Sequence, residues 1–399
     1  MVAPYLADIY GGVSKAVKEL AQGIAEQGVS IDLVTTNANG KSKLSVPVDQ
    51  WIETDGYRVR YFNCIHRYDS VLSIPLCLWL ARHAASYDVI HTHSMFAPVV
   101  DFAQWICRGQ KVSYVTTPHG MLEPWALSYK SSKKRIYYRT FEVPALEAAS
   151  AIHVLNSQEA DNVNSLGFQQ TEIIHNGIHR SEFEELASED EFYQQFPEIK
   201  GRRIILFLGR IDPKKGLDLL APAFAKIHQQ FPDTHLVIAG PDSIGFLPTV
   251  KAYFEKFSCL DAVTFTGMIS GSLKYAALSA ASIYVSPSYS EGFSMSILEA
   301  MAVGLPCIIT EKCNFPEAAD AKAAYVVETD ADAISQALCK VLQKPQDSEA
   351  MGQRARELVF DHYTWRCAAD KLIQIYRRIC LDPATLETLP TQTVTTSNR

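Results

Sequence analysis

Short runs rich in valine, isoleucine and threonine recur along this chain, and stretches with helical spacing separate them. In the first half the runs are VSIDLVTT (29–36), YDVIHTHS (87–94), VSYVTTPHG (112–120), SAIHVLNS (150–157) and TEIIHNG (171–177). In the second half they are RIILFLGR (203–210), THLVIAGP (234–241), AVTFTG (262–267), SIYVSPS (282–288), PCIITE (306–311) and AAYVVE (323–328). Helical stretches such as 13–27, 216–231, 272–281 and 331–343 lie between them. Strands apolar on both faces need cover on both faces, and intervening helices supply it, so the pattern predicts parallel sheets wrapped by helices. Two such series predict an α/β chain with two Rossmann-like domains. A length of 399 residues suits that division.

The charged stretch 181–201 reads as the connection between the two series, and 382–399, rich in threonine and proline, as a disordered tail. A doubly wound domain places a strand ahead of its first glycine turn, yet only Met1-Val2-Ala3-Pro4 stands where that strand belongs. Such a strand is central, and its loss would leave backbone groups unpaired on both sides. The expectation is a truncated first strand and a natural start upstream of Met1.

Composition removes several function classes. No apolar run reaches the roughly 18–20 residues of a membrane span; the longest, VLSIPLCLWL at 71–80, is short and holds a proline. MVAPYLADIYGG lacks the basic start and apolar core of a secretory leader. The 9 cysteines form no CxxC pair, and Cys77, Cys307 and Cys339 sit inside apolar runs, which reads as reduced thiols in a cytoplasmic protein. A net charge of −7 argues against a nucleic-acid partner.

The chemistry concentrates in 281–311. Between the runs SIYVSPS and PCIITE lie a turn, YSEGF, and a helix, SMSILEAMAV, with Ser294 as its expected N-cap and Gly304 and Pro306 as its stop. The turn therefore lies at the carboxyl edge of a parallel sheet, where ligands bind in open α/β folds. The N–H groups of Gly292, Phe293 and Ser294 would point from the helix start toward an anion. Glu299, inside the helix, could accept from a vicinal diol such as ribose, and Glu291, on the turn, could hold a sugar hydroxyl. Two solvated helix carboxylates are the plainer alternative. FLGRIDPKKGLDLL (207–220) is a second strand–loop–helix unit. Its Arg210 and Lys215 could neutralise a leaving diphosphate without a metal, though the G-K-[ST] ending of a P-loop is absent.

These segments, together with GGVSKAVKELAQGIAEQG, PHGML, NGI, VIAGP, TFTG and YTWRCAADKLIQIY, stand in the order found in family 4 of the retaining glycosyltransferases, and the resemblance spans about residues 10–380. TPHGMLEPWALSYKSSKKRIYY resembles members that build bacterial exopolysaccharide and lipopolysaccharide. The resemblance implies a GT-B fold, two Rossmann-like domains with parallel sheets facing a central cleft. An acceptor-side domain would cover 1–180 and a nucleotide-sugar domain 181–363; a helix over 364–381 would cross back, with HNGI (175–178) at the hinge. It further implies that Glu299 holds the nucleotide ribose and that Glu291 and the amides of 292–294 contact the donor sugar or phosphate. Arg210 and Lys215 would stabilise the departing diphosphate, and His119 would lie beside the transferred sugar. Gly11 and Gly12 would form the loop that approaches phosphates or acceptor. No metal and no resident cofactor are implied; the donor is a UDP-, GDP- or ADP-sugar and the acceptor a glycan or lipid-linked sugar. Retention without a carboxylate nucleophile points to an oxocarbenium-like transition state in which the leaving phosphate helps deprotonate the acceptor hydroxyl.

Other patterns weigh less. DAD at 330–332 opens a helix and reads as a cap; His91 and His93 share a strand face with no third ligand nearby in sequence. YKSSKKRIYYR (129–139) mixes 5 basic residues with 3 tyrosines, a composition that suits either an anionic membrane surface on the cytoplasmic side or a solvated helix face. A non-catalytic partner subunit would be expected to have lost some of Arg210, Lys215, Glu291, Glu299 or His119. A nicotinamide dehydrogenase would need G-x-G-x-x-G, which YGGVSKAV does not supply. A sugar-nucleotide epimerase of the same shape remains a third reading.

Overall fold

A computed structural model describes residues 1–67, 70–124, 127 and 131–381. The expected tail at 382–399 and part of the basic segment 129–139 lie outside the described residues. The chain divides into two compact units. Unit 1 comprises Met1–Val154, Glu159–Ile174 and the residues from Ala368 on; unit 2 comprises Leu155–Gln158 and His175–Cys367.

Unit 1 contains β1 (Asp32–Thr36), β2 (Trp51–Thr54), β3 (Tyr57–Phe62), β4 (Ile90–His93), β5 (Tyr114–Thr117), β6 (Ala151–Val154) and β7 (Thr171–Ile173). The order is β2–β3–β1 on one side and β4–β5–β6–β7 on the other, parallel throughout except for β2 against β3. The expectation of an empty centre is corrected by the first residues of the chain. Val2 bridges in parallel to Val34 of β1 and to Thr92 of β4. Val2 N–H donates to the His91 carbonyl at 2.8 Å, and the Val2 carbonyl accepts from His93 N–H at 2.9 Å. Residues 1–3 therefore pair the backbone groups on both sides that a missing strand would strand.

Helices α1 (Gly12–Ala25), α2 (Ile74–His83) and α3 (Pro98–Gln110) belong to unit 1. Helix α1 buries Ala16, Val17, Leu20, Ala21 and Ile24, the stripe of a 3.6-residue period. The apolar run at 71–80 is a strand end followed by α2: Ser73 accepts from Leu76 N–H as cap, and Leu76, Trp79 and Leu80 are buried.

Unit 2 is a six-stranded parallel sheet of β8 (Arg203–Leu208), β9 (Thr234–Ala239), β10 (Val263–Gly267), β11 (Ala281–Ser286), β12 (Cys307–Thr310) and β13 (Ala324–Val327). The order is β10–β9–β8–β11–β12–β13. Helices α4 (Leu217–Gln230), α5 (Gly271–Ala280), α6 (Met295–Val303), α7 (Ala331–Gln343) and α8 (Pro345–His362) connect or cover the strands. Strand β8 shows why its sequence is apolar from Ile204 to Leu208. Ile204, Leu206 and Leu208 enter the core on one face, while Ile205 and Phe207 enter the core on the other. Stretch 181–201 is not a free connection: Phe183, Phe192 and Ile199 are fully buried in this unit. In HNGI, a Cβ on Gly177 would lie 2.2 Å from the Thr364 carbonyl carbon, and Ile178 bridges to Thr364 in parallel. The closing helix, Trp365–Cys380, begins in unit 2 and belongs to unit 1 from Ala368 on.

Candidate functional site

The strand order of unit 2 reverses direction between β8 and β11, so the connections leaving these two neighbours diverge and open a crevice at their carboxyl ends. The loops that follow them, 209–216 and 287–294, are the two segments singled out above. They pack on each other. Tyr289 N–H donates to the Lys214 carbonyl at 2.7 Å, and the Tyr289 hydroxyl to Asp218 at 2.8 Å. Gly216 stands at φ +69°, and a Cβ there would come within 1.9 Å of the Pro287 carbonyl oxygen. Only glycine permits both the conformation and the approach.

Within this crevice Lys215 Nζ donates to Glu291 Oε1 at 2.5 Å. Ser288 Oγ donates to the same oxygen at 2.7 Å. The Glu291 backbone is also fixed: its N–H donates to the Lys312 carbonyl at 2.9 Å, and its carbonyl accepts from Asn314 Nδ2 at 2.6 Å. Glu291 is buried, yet its Oε2 takes no hydrogen bond among the described residues and remains an available acceptor. Arg210 is exposed at the end of β8, with no ion-pair partner among the described residues.

Helix α6 starts beside this pair. Ser294 occupies the N-cap position with extended backbone, but its side chain makes no cap hydrogen bond; it pairs instead with Ser296 Oγ at 3.1 Å. The capping expected of Ser294 is therefore corrected, and the helix start keeps free donors. The amides of Gly292, Phe293 and Ser294 have no partner among the described residues. The Asn156 amide donates to the Gly292 carbonyl, and the Phe293 ring packs against His175, Phe315 and Tyr363, at 5.4, 5.9 and 6.0 Å between centroids. The side chain of Phe293 is thus an anchor, and its backbone is the part left for a ligand. Gly304 ends the helix at φ +87°, as expected. Glu299, buried in α6, accepts from Lys274 Nζ of α5 at 2.8 Å. Lys274, Ser288, Asn314 and Asn156 were not singled out from the sequence. Their contribution depends on pairings with residues up to 136 positions away, which local pattern does not encode.

The remaining candidates lie in unit 1. His119 follows β5 at φ +53°, and its Nε2 lies 3.2 Å from His93 Nδ1. Burial, and then the neighbouring His153, push its pKa down to about 3, so its imidazole is neutral at pH 7. Gly120 N–H donates to Glu159 Oε1 at 2.6 Å, which fixes the PHG turn. Gly11 caps α1 at φ +73° and Gly12 is its first residue; a Cβ at either would meet nothing within 4 Å, so the loop borders open space.

The weaker patterns resolve structurally. Asp330 caps α7, accepting from Asp332 N–H at 2.8 Å and Ala333 N–H at 3.1 Å. His91 is bonded to the Tyr376 hydroxyl at 2.6 Å and to Thr117 Oγ1 at 2.7 Å. Among the described residues no group of three or more His, Cys, Asp or Glu side chains could hold a metal, and no helix is long and apolar enough to cross a membrane.

Comparison with known proteins agrees with this layout. The family model described as Glycosyltransferase Family 4 matches residues 10–182, and that described as Glycosyl transferases group 1 matches residues 188–358. The phosphatidyl-myo-inositol mannosyltransferase of Mycolicibacterium smegmatis is 24% identical, over 95% of this chain and 93% of its own length. Among solved structures, sucrose-phosphate synthase from Thermosynechococcus elongatus superposes with a TM-score of 0.74 at 22% identity, covering 95% of this chain and 98% of that one. Anabaena HepE in complex with UDP gives 0.72 at 15% identity, covering 97% and 99%.

Proposed function

We propose, from the premise that this chain belongs to the glycosyltransferases and carries their family 4 and group 1 domains in succession, that it moves a hexose from a nucleotide diphosphate sugar to a glycan or lipid-linked acceptor with retention of configuration. The observation that carries this reading is the Lys215–Glu291 pair at the switch point of unit 2, beside the exposed Arg210 and the open amides of 292–294. A diphosphate in the crevice would meet two cations and a helix N-terminus. These groups sit where negative charge grows as the glycosidic bond breaks, so charge stabilisation needs no metal ion. Glu291 Oε2 would accept from a donor-sugar hydroxyl, and Glu299 from the ribose. His119, neutral, would hydrogen-bond the transferred sugar rather than carry a charge toward it. UDP is the first nucleotide to try, because HepE is a structural neighbour bound to UDP. A role in exopolysaccharide or lipopolysaccharide assembly at the cytoplasmic membrane face completes the reading.

The test is calorimetric binding of UDP, GDP and ADP, with and without magnesium, to the wild type and to Glu299→Ala. One nucleotide should bind without metal and lose its affinity in Glu299→Ala. No binding by a folded protein would sink the donor site and leave a non-catalytic partner subunit as the better account. Consumption of the matching nucleotide sugar with no acceptor present would favour the epimerase.

A further inference from the structure

Unit 1 carries an apolar face that its own core does not use. Helix α3 turns Phe102 and Trp105 outward, Trp105 to 66% exposure, in the i, i+3 spacing that continues to the exposed Arg108. Facing it, the helix Ser131–Tyr137 and the π-turn Tyr138–Glu142 expose Ile136 at 69% and Phe141 at 51%. Between the two elements runs a groove of about 440 Å³ lined by Pro98, Asp101, Phe102, Trp105, Tyr137 and Phe141. Single exposed hydrophobics are ordinary, but three lining one groove, with Ile136 exposed on the adjoining helix, mark an interaction surface.

The charges beside the groove identify the partner. The chain as a whole is acidic, with a net charge of −7. Yet every exposed charge on α3 and on residues 134–142 is an arginine: Arg108, Arg135 and Arg139. Of the two acids of these elements, Glu142 is buried and Asp101 is half-buried in the groove wall. Glu142 is 1% exposed and accepts from Phe96 N–H at 2.5 Å, and Asp101 accepts from the Tyr137 hydroxyl. The first bond ties the π-turn to the loop leading into α3, and the second ties Tyr137, at the end of the preceding helix, to α3 itself, so the aromatic groups sit on a braced platform. Large aromatics with arginines around them fit the boundary between acyl chains and anionic head groups.

We propose that this face of unit 1 docks on a bilayer surface containing anionic phospholipid, with Phe102, Trp105, Ile136 and Phe141 entering the interface and Arg108, Arg135 and Arg139 meeting the phosphates. The inference deepens the reading of a lipid-linked acceptor and rests on it for its purpose, but not for its test. Full-length protein is sedimented with vesicles of phosphatidylcholine, with and without phosphatidylglycerol, and UDP binding is measured on the same samples in solution. The wild type should sediment with the anionic vesicles and be released by salt. Each arginine among Arg108, Arg135 and Arg139 changed to Gln should weaken partition roughly fivefold. Trp105→Ser with Phe102→Ser should abolish it while melting temperature and UDP binding stay as in the wild type. Brominated acyl chains should quench tryptophan fluorescence in the wild type and not in Trp105→Phe. Wild type left in the supernatant, or variants that sediment as it does, would overturn the docking surface; retained UDP binding in that case would leave the donor site standing. A dimer in the ultracentrifuge that Trp105→Ser converts to monomer would also overturn it, by assigning the groove to a second copy of the chain.

Discussion

Lys215 and Glu291 meet at 2.5 Å across 76 residues of sequence, and each is delivered by the loop after one of the two strands that flank the switch point of unit 2. Their side chains are 13% and 9% exposed, so the pair lies largely out of water, while Arg210, in the same loop as Lys215, is exposed. The lysine is held by the Glu291 carboxylate at the carboxyl ends of these strands. On the proposed function, a donor diphosphate would exchange one anionic partner of Lys215 for another, with the cation already in place.

Lys215→Ala should lower turnover by roughly 100- to 1000-fold, the scale seen when one preorganised charge donor is removed from a transition state. Nucleotide affinity should fall far less, since Glu299 and the amides of 292–294 are untouched. Steady-state kinetics beside calorimetry separates the two; equal losses in both would show that Lys215 only binds.

Two glycines in adjoining loops should respond in opposite ways. Gly216→Ala forces a side chain into left-handed backbone at φ +69° and against the Pro287 carbonyl oxygen. It should destabilise unit 2 by on the order of 3 kcal/mol and displace Lys215 with it. A Cβ on Gly292 meets nothing within 4 Å, so Gly292→Ala should melt with the wild type and weaken only ligand binding. Thermal unfolding of both variants decides; equal stability would contradict the packing of the two loops.

Much of this was legible beforehand, and the limits are physical. Strand β8 announces itself because a strand covered on both faces must be apolar along its buried length, and IILFL, after the leading Arg203, is. Gly304 announces the end of α6 because few other residues accept its φ. The antiparallel β2, next to β3, was not foreseen, because WIET is half-polar and short. Nor was the central bridge at Val2, where three residues complete a layer that pattern rules expect from a full strand. In the site, residue types at loop positions marked Arg210, Lys215, Glu291 and Glu299. Their partners Lys274, Ser288 and Asn314 are set by how helices and loops pack, and a single sequence carries no mark of that.

Glu299 depends on one such partner. Lys274→Ala leaves its carboxylate buried without the cation that now donates to it at 2.8 Å. Removing one member of a buried ion pair costs up to about 3 kcal/mol, because the other loses its counter-charge while staying largely desolvated. Urea unfolding should show that loss, and adding Glu299→Ala should recover part of it. A double variant that is weaker than Lys274→Ala alone by the full cost of Glu299→Ala would show the two side chains to be independent.

Asp101 in the groove wall of unit 1 and the buried Glu142 make a prediction about pH. Burial raises both, and mutual repulsion adds to it for Glu142: Asp101 is pushed up to about 6 and Glu142 to about 8. Lys134 opposes the rise at Glu142, and hydrogen bonds from Tyr137 and Phe96 oppose it at Asp101 and Glu142, without cancelling it. In the unfolded chain the two ionise near 3.8 and 4.5. Between those values and about 8 the folded state therefore holds more protons than the unfolded state. Stability contributed by the pair is full in acid, declines as pH rises through this window, and levels off above it. Glu142→Gln keeps an acceptor for Phe96 N–H and offers Asp101 a permanent donor, so no shared proton is needed. The melting temperature of the wild type should fall from pH 5 to pH 8 relative to that variant, which should be at least as stable at the upper end. Parallel melting curves across the range would mean that the two carboxyls ionise without cost, and that the bracing of residues 137–142 against α3 and the loop before it does not depend on a proton between them.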